Sequence, residues 1–558
     1  MESNHLINNG KIPDGKIFNK REVFVSDSLK NFGRLFFTGV IALLLFSSFT
    51  PTQIEDKEIL KTIRKGKTQK LKQYIEEGLE VNGLYNDRKL LNYAVRKGEY
   101  EVCELLIASG AYVNKFHDNQ TPLIQSVHSY RPEITELLIA FGADPDLADS
   151  KGNTALTHAV LKGELELVKI LFESGASRKI KNNKGRTPFH YVNRYHENPV
   201  LEYVNKIKIL HHHLDTLPDL HDGPHITIKD NHLKVEYFLH DSSANKTWRE
   251  YRFFTAEDDT FVFEGFAGDS NTYHLDLSLD KSPAYVSQTE KIFLLGDLHG
   301  EYETLNKLLR NQQIIDSAGK WDFGRGHVVF TGDVFDRGDK VTETLWFIHE
   351  LKYQAQKSGG DVHYLLGNHE MMVQEEDYRY LASKYLFFSQ FFFREYRDWY
   401  SNDTYIGRWI RKKNVAMKID DKLIVHAGFS PRVLNQKLSL EEINSIFHLH
   451  MDNEKYKVLY IHNLVVSGDG PTWYRGYVTK NLNYTEVEHT LVEKTLKFYG
   501  AKKLIVGHMP QYTIKPLYNK QVYLIDVPMG QTALAQGLLI EGEKYYKCSE
   551  DGQCVRIE

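Results

Sequence analysis

Cysteine is nearly absent, with 3 in 558 residues, too few for a disulfide-built scaffold or a thiolate metal centre. Cys103 falls in a helical stretch and reads as a small buried apolar residue. Cys548 and Cys554 stand close together at the tail and either close a small disulfide loop in an oxidising compartment or remain free thiols. None of the three has a neighbouring base that would make it a nucleophile. Charge of one sign is lacking too. Lys and Arg number 70 against 74 Asp and Glu, a net charge of −4 with an isoelectric point near 6.7. The basic residues are dispersed, which removes the electrostatic footprint of a nucleic-acid-binding chain. Long hydrophobic runs are also missing. The uncharged stretch 35–49 would extend about 22 Å as a helix at 1.5 Å per residue, short of the roughly 30 Å hydrocarbon core. Basic residues from Lys11 to Arg34 precede it and Glu55-Asp56 follow. The expectation is therefore a signal peptide or membrane anchor that sends the bulk of the chain out of the cytoplasm, to a periplasm or a membrane surface. A cytoplasmic chain with this run as a buried helix is the alternative.

What is present is 41% hydrophobic residues, enough for real cores, over a length suited to about three domains. From about Glu55 to Val192 the chain repeats itself: Gly78, Gly110, Gly142 and Gly175 recur at intervals of 32, 32 and 33. Each follows an apolar run such as Leu105-Leu106-Ile107. The clearest copy runs from Lys151-Gly152-Asn153-Thr154-Ala155-Leu156-Thr157-His158-Ala159 to Gly175-Ala176, and Thr121-Pro122-Leu123 and Thr187-Pro188-Phe189-His190 open others. Period and motif resemble ankyrin repeats. The resemblance implies stacked helix pairs with one elongated core and a concave surface for a protein partner. His158 and His190 share a repeat slot and read as core hydrogen-bonding residues rather than metal ligands. Between about Pro218 and Tyr285 the pattern changes to alternating apolar and polar residues, at Ile226–Ile228, Leu233–Tyr237, Phe261–Phe263 and Leu275–Leu279, which predicts a small antiparallel β module or an extension of the next sheet.

The remainder is organised around Lys291-Ile292-Phe293-Leu294-Leu295-Gly296-Asp297-Leu298-His299-Gly300. Four apolar residues predict a buried strand, Gly296 ends it, and Asp297 and His299, two apart in an extended chain, are expected to leave it on the same side and grip one cation. Four more strands end alike: Val328–Phe330 before Thr331-Gly332-Asp333, then Asp336-Arg337-Gly338; Tyr364–Leu366 before Gly367-Asn368-His369-Glu370; Leu423–Val425 before His426-Ala427-Gly428; and Leu504–Val506 before Gly507-His508. Five apolar runs each ending in a metal-competent residue beside glycine describe one site at the carboxyl edge of an α/β sheet.

This string of motifs resembles the calcineurin-like metallophosphoesterases of the phosphoprotein phosphatase branch. Gly470–Gly476 and Gly407–Ile410 look like those of Shewanella-like protein phosphatases. Ala427 stands where the family usually has a second glycine, and Val527-Pro528 where Thr-Gly is commoner. The fold implied is multidomain, an α-solenoid of ankyrin repeats plus an α/β metallophosphatase β-sandwich with helices on both faces. The expected divisions are 1–53 (tail with the apolar run), 54–195 (repeats), 196–286 (linker and β module), 287–545 (catalytic domain) and 546–558 (tail).

Carried over position by position, the resemblance implies that Asp297, His299 and Asp333 hold a first metal, that Asp333 bridges to a second, and that Asn368, His426 and His508 complete it. Oxygen and nitrogen donors without thiolate suit two divalent or trivalent ions of Mn, Fe or Zn. A hydroxide shared by them would attack phosphorus in line. Arg337 and Arg475 would clamp the phosphate, and His369, oriented by Asp336, would protonate the leaving oxygen. Trp473 and Tyr474 are candidate substrate contacts, and Asp526 a support behind the ligands. The ring-rich insert between Glu370 and Val415 reads as the core of a helical cap, or in part as an aromatic wall over the site. The activity implied is hydrolysis of phosphomonoesters on phosphoproteins, at Tyr or Ser/Thr. The competing expectations are a small-molecule phosphomonoesterase or dinucleoside polyphosphate hydrolase, and an inert ankyrin scaffold.

Overall fold

The computed structural model describes residues 54–194, 199–211, 217–452, 460–478, 487–530 and 534–558. The apolar run 35–49, and with it the expected signal peptide or tether, lies outside them. Among the described residues no helix is long and apolar enough to cross a membrane. The chain parts into two compact units, one running to Ala159 with Lys181–Arg186, the other comprising Val160–Ile180 and Thr187–Glu558.

The first unit is a stack of short antiparallel helix pairs: Asp56–Arg64 with Thr68–Glu76, Leu90–Lys97 with Tyr100–Ala108, and Pro122–His128 with Pro132–Ala140. The recurring glycines end the second helix of each pair. Gly78, Gly110 and Gly142 have φ of 98°, 90° and 84°, left-handed values that cost an L side chain strain but glycine little. The 32-residue period also sets hydrogen bonds between neighbours. Asn82 Nδ2 donates to Gly110 O at 2.9 Å, and Asn114 Nδ2, one repeat on, donates to Gly142 O at 3.0 Å. Each pair buries one apolar stripe, as Leu90, Leu91, Ala94, Val102, Leu106, Ile124 and Leu137 do, so no pair has a complete core alone. His158 is hydrogen-bonded, its Nε2 3.0 Å from Asp149 Oδ2 and its Nδ1 3.1 Å from His128 Nε2. His190 differs: it is exposed, because its segment shortens to the 3-10 turn Pro188–Arg194.

In the second unit, β1 (Leu220–Lys229), β2 (His232–Asp241) and β3 (Lys246–Thr255) form an antiparallel sheet, and β4 (Thr260–Glu264) pairs with β5 (Thr272–Asp276). The alternation marked β1, β2 and β4, and of β5 only Leu275 and Asp276, because the stretch Leu275–Leu279 runs on past the strand's end. It missed β3, whose Trp248, Tyr251, Phe253 and Phe254 are ring-rich without a clean period.

Two six-stranded sheets follow. One has β7 (Lys291–Leu295), β8 (His327–Phe330) and β9 (Asp361–Tyr364) parallel, extended beyond β7 by antiparallel β15 (Gln536–Glu541), β16 (Lys544–Ser549) and β17 (Cys554–Arg556). The other runs β13 (Lys515–Leu517), β14 (Val522–Leu524), β12 (Lys503–Val506), β11 (Lys422–Val425), β10 (Ala416–Ile419), β6 (Tyr285–Val286). Ile292, Leu294 and Val329 from the first sheet and Ile424, Ile505, Tyr523 and Ile525 from the second form one buried cluster, the interior of a β-sandwich. The alternate residues Phe293, Leu295, Val328 and Phe330 are buried as well. Strands covered on both faces read as unbroken apolar runs. Cys548 and Cys554 are joined as a disulfide between β16 and β17, while Cys103 is free and buried.

Most of the aromatic insert is core. Helix Ser383–Phe392, the 3-10 turn Tyr396–Tyr400 and helix Tyr405–Ile410 bury Tyr385, Phe388, Phe391, Tyr396, Trp399, Tyr400 and Tyr405. These rings meet β2, with Phe238 4.7 Å from Phe392 and 5.0 Å from Trp399. A charged cluster is buried beside them: Lys384 Nζ lies 3.0 Å from Asp222 Oδ1 and 3.3 Å from Glu343 Oε1, and Asp222 Oδ2 is 2.7 Å from His225 Nε2.

Candidate active site

Every proposed ligand sits just past the carboxyl end of a strand of the sandwich. Asp297 and His299 follow β7, Asp333 follows β8, Asn368 follows β9, His426 follows β11, His508 follows β12 and Asp526 follows β14. They are not brought together by strand alternation as the Asp297–His299 spacing suggested. The chain turns left-handed instead, with φ of 49° at His299, 53° at Asp333, 68° at Asp336, 66° at Arg337 and 60° at His508. Such conformations are sparse for side-chain-bearing residues and concentrate at functional sites, held by surrounding contacts. Here those contacts are specific. Leu298 N and His299 N both donate to Asp333 O, at 3.0 and 2.8 Å, so the first loop is hung from the second.

Two donor clusters result, His299–Asp333–His369 and Asp333–His426–His508, in each of which one ligand atom per residue lies within 4.8 Å of the others. Asp333 belongs to both. His426 Nε2 is 3.3 Å from Asp333 Oδ2, 3.2 Å from Asn368 Oδ1 and 3.1 Å from His508 Nδ1. Backbone carbonyls fix the far ring nitrogens. His426 Nδ1 faces Thr331 O at 2.8 Å, His299 Nδ1 faces Phe335 O at 2.9 Å, and His508 Nε2 faces Trp473 O at 3.1 Å. Each ring therefore has its other nitrogen free to ligate, the arrangement metal-binding histidines require. Asp297 joins through Oδ1, which accepts from His508 N at 2.9 Å and lies 3.9 Å from His426 Nδ1.

The electrostatics ask for cations. Burial followed by the charge of Asp333 pushes Asp297 up to about 6. Burial with Asp297 and Asp333 as neighbours raises Asp526 well above the carboxylate range, and its Oδ2 has no hydrogen-bond partner. Burial works against the Asp333 carboxylate too, yet His426 and His369 outweigh it and hold its pKa well below normal. Carboxylates crowded this closely, offset only by imidazoles and retained protons, with all-oxygen-and-nitrogen donors, fit hard or borderline divalent ions. The approach depends on Gly367, where a Cβ would lie 2.1 Å from Asp333 Oδ1.

Beside the clusters, His369 Nδ1 is 2.6 Å from Asp336 Oδ2, which leaves Nε2 for the cavity. Burial disfavours the imidazolium, but Asp333 and the bond to Asp336 prevail and raise the His369 pKa. Arg337 and Arg475 line one cavity with Asp297, His299, Asp333, His369 and His508. Trp473 reaches the site by its carbonyl, whereas Tyr474 is 6% exposed, packs on Tyr477 and does not line the cavity.

One contributor carried no role in the sequence reading, and a second was foreseen only as part of an aromatic wall. Glu370 is buried, and its carboxylate collects Val334 N at 2.7 Å, Asp333 N at 3.0 Å, Gly367 N at 2.6 Å and Tyr364 Oη at 2.8 Å. It thereby locks the β8 and β9 loops together. Its place directly after Asn368-His369, at the third position of a helix, was the available signal. Tyr380, from the insert, accepts from Arg337 N at 2.8 Å, and its ring lies 5.3 Å from that of His369. It is exposed and not core, and it falls to the part of the insert read as an aromatic wall over the site.

Comparison with known proteins agrees with this geometry. Residues 290–512 match the calcineurin-like phosphoesterase family, and 59–149, 91–182 and 123–213 match ankyrin repeats. Shewanella-like protein phosphatase 1 of Plasmodium berghei is 28% identical over 278 residues, 48% of this chain and 75% of the relative. Shewanella-like protein phosphatase 2 of Arabidopsis thaliana is 26% identical over 302 residues, 45% of this chain and 73% of the relative. Among solved structures, the cold-active protein-tyrosine phosphatase of a psychrophilic Shewanella species superposes with a TM-score of 0.55 at 32% identity, covering 61% of this chain and 100% of that one. The chain belongs to the calcineurin-like phosphoesterases of Shewanella-like phosphatase type, with ankyrin repeats ahead of the catalytic domain.

Proposed function

We propose that the protein is a metal-dependent phosphoprotein phosphatase. The observation that carries this reading is Asp333, one carboxylate shared by two donor clusters in a cavity that also holds two arginines. Asp297, His299 and Asp333 would hold one divalent cation, and Asp333, Asn368, His426 and His508 the other, with Mn, Fe and Zn all compatible with the donors. The chemistry such ions supply when bound is acidification of water and neutralisation of phosphoryl charge.

The protein's own groups do the rest. Arg337 and Arg475 bind the phosphoryl oxygens through their planar guanidinium forks. His369 gives a proton from Nε2 to the departing oxygen. Asp336 holds its Nδ1–H and stabilises the imidazolium. Glu370 keeps Asp333 and Asn368 in register, and Asp526 steadies Asp297.

Phosphotyrosine is the favoured phosphoresidue, supported by the likeness to a protein-tyrosine phosphatase. The repeat array supplies the surface for a protein partner. A site outside the cytoplasm is supported by the run 35–49 and the Cys548–Cys554 disulfide, and fractionation of the expressing cells tests it. The activity is tested with p-nitrophenyl phosphate and added Mn, then with peptides carrying each phosphoresidue. Turnover that vanishes in Asp333→Ala is expected. Undiminished turnover in that variant, or none in the wild type, overturns the reading.

A further inference from the structure

The cavity that holds the two arginines also holds a carboxylate with nothing to neutralise it. Glu301, two residues after His299 and just before helix Tyr302–Asn311, lines the cavity opposite in sign to Arg337 and Arg475. Among the described residues its side chain has neither a hydrogen-bond nor an ion-pair partner. Nearby Glu303 is satisfied by Lys340, and Asp339 adds further negative charge felt at Glu301. The backbone keeps the carboxylate clear. Met529 and Pro528 wall the same cavity, and at Gly530, with φ 68°, a Cβ would stand 2.3 Å from Glu301 Oε2. Any larger residue there would displace it.

A bare carboxylate is a liability in a pocket for a dianionic phosphate, because it repels the substrate unless the substrate brings a compensating charge. The complementary ligand is therefore dipolar, a phosphate for the arginines and a cation for Glu301. We propose that Glu301 is a specificity-determining residue that selects phosphopeptides with an Arg or Lys beside the phosphorylated residue. This rests on the phosphatase reading and adds the substrate class to it. It also explains Glu301 in preference to the Lys340–Glu303 pair, which is exposed and self-satisfied.

The experiment uses the full chain loaded with Mn and three phosphotyrosine peptides that differ only in carrying Arg, Ala or Glu on both sides of the phosphoresidue. The readout is the ratio of kcat/KM for the Arg peptide to that for the Glu peptide within each variant, so a general loss of activity or folding cancels. The wild type should favour Arg by about tenfold, Glu301→Gln should bring the ratio within about twofold of unity, and Glu301→Lys should invert it. A wild-type ratio near unity, or the same ratio in all three proteins, overturns the assignment and leaves the phosphatase reading standing, provided the Ala peptide is turned over. No turnover of any of these peptides by a wild type that still hydrolyses p-nitrophenyl phosphate overturns the assignment alone, and no turnover of either overturns both.

Discussion

Asp336→Asn separates charge from geometry at the proton donor. Asp336 is buried, its Oδ2 is 2.6 Å from His369 Nδ1, and its Oδ1 has no partner. An asparagine fits the same space and keeps an oxygen to accept from Nδ1–H, removing the charge and exchanging the unpartnered Oδ1 for an amide nitrogen. A hydrogen bond between charged groups contributes about 1.5–3 kcal/mol and a neutral one about 0.5–1.5, so the imidazolium forfeits about 1.5 kcal/mol, close to tenfold at 1.36 kcal/mol per decade. That loss appears only where the leaving oxygen needs the proton. With a phosphoserine peptide, whose alkoxide is strongly basic, kcat should fall by about tenfold. With p-nitrophenyl phosphate, whose phenolate leaves unaided, it should fall far less. The pH profile adds a second readout. His369 acts when protonated, and Asp336 helps to raise its pKa, so removing that charge should move the alkaline limb of kcat to lower pH. Equal losses on the two substrates with an unmoved limb would refute the assignment of His369 as the acid and Asp336 as its support.

Asp333→Ala removes the carboxylate common to both clusters, and elemental analysis of the purified protein should show both metals lost together with turnover. Gly367→Ala drives a methyl into Asp333 Oδ1, and a misplacement of about 1 Å should lower kcat by about 100-fold with the far-ultraviolet circular dichroism spectrum unchanged. In the buried cluster, burial alone would push the Asp222 carboxyl up, but Lys384 and His225 outweigh it and hold it below its usual 3.8. A depressed acid stabilises above its unfolded pKa and loses that contribution as pH falls through the folded value. Asp222→Asn should therefore cost about 3 kcal/mol at neutral pH and progressively less below about pH 4, measured by urea unfolding.

The catalytic strands were legible because each obeys a local rule: an unbroken apolar run buried on both faces, a glycine, then a polar residue. The repeat array was legible through its period. What escaped was set by contacts between distant segments. Nothing near His299 in sequence announces a left-handed turn, since the turn is held by Asp333 O, 34 residues on. Glu370 gains its role only once the β8 and β9 loops meet over it. Strand β3 hid because rings stand on both of its faces, Tyr251 and Phe253 under Lys234 of β2 and Phe254 against Phe261 and Phe263 of β4, erasing the alternation. Glu301 carried no role in the sequence reading, and only the cavity around this residue at the start of helix Tyr302–Asn311 gives it meaning.

The five left-handed residues around the cavity carry a consequence for anyone evolving this protein. At about 1 kcal/mol each, they withhold an amount comparable to the net stability of a small domain. Glycine at any of them would relax the chain while deleting a proposed ligand, a phosphate-binding arginine or the support of His369. Selection for heat resistance alone would thus drift towards robust but inert descendants, and libraries aimed at hardier enzymes will need turnover as a simultaneous filter.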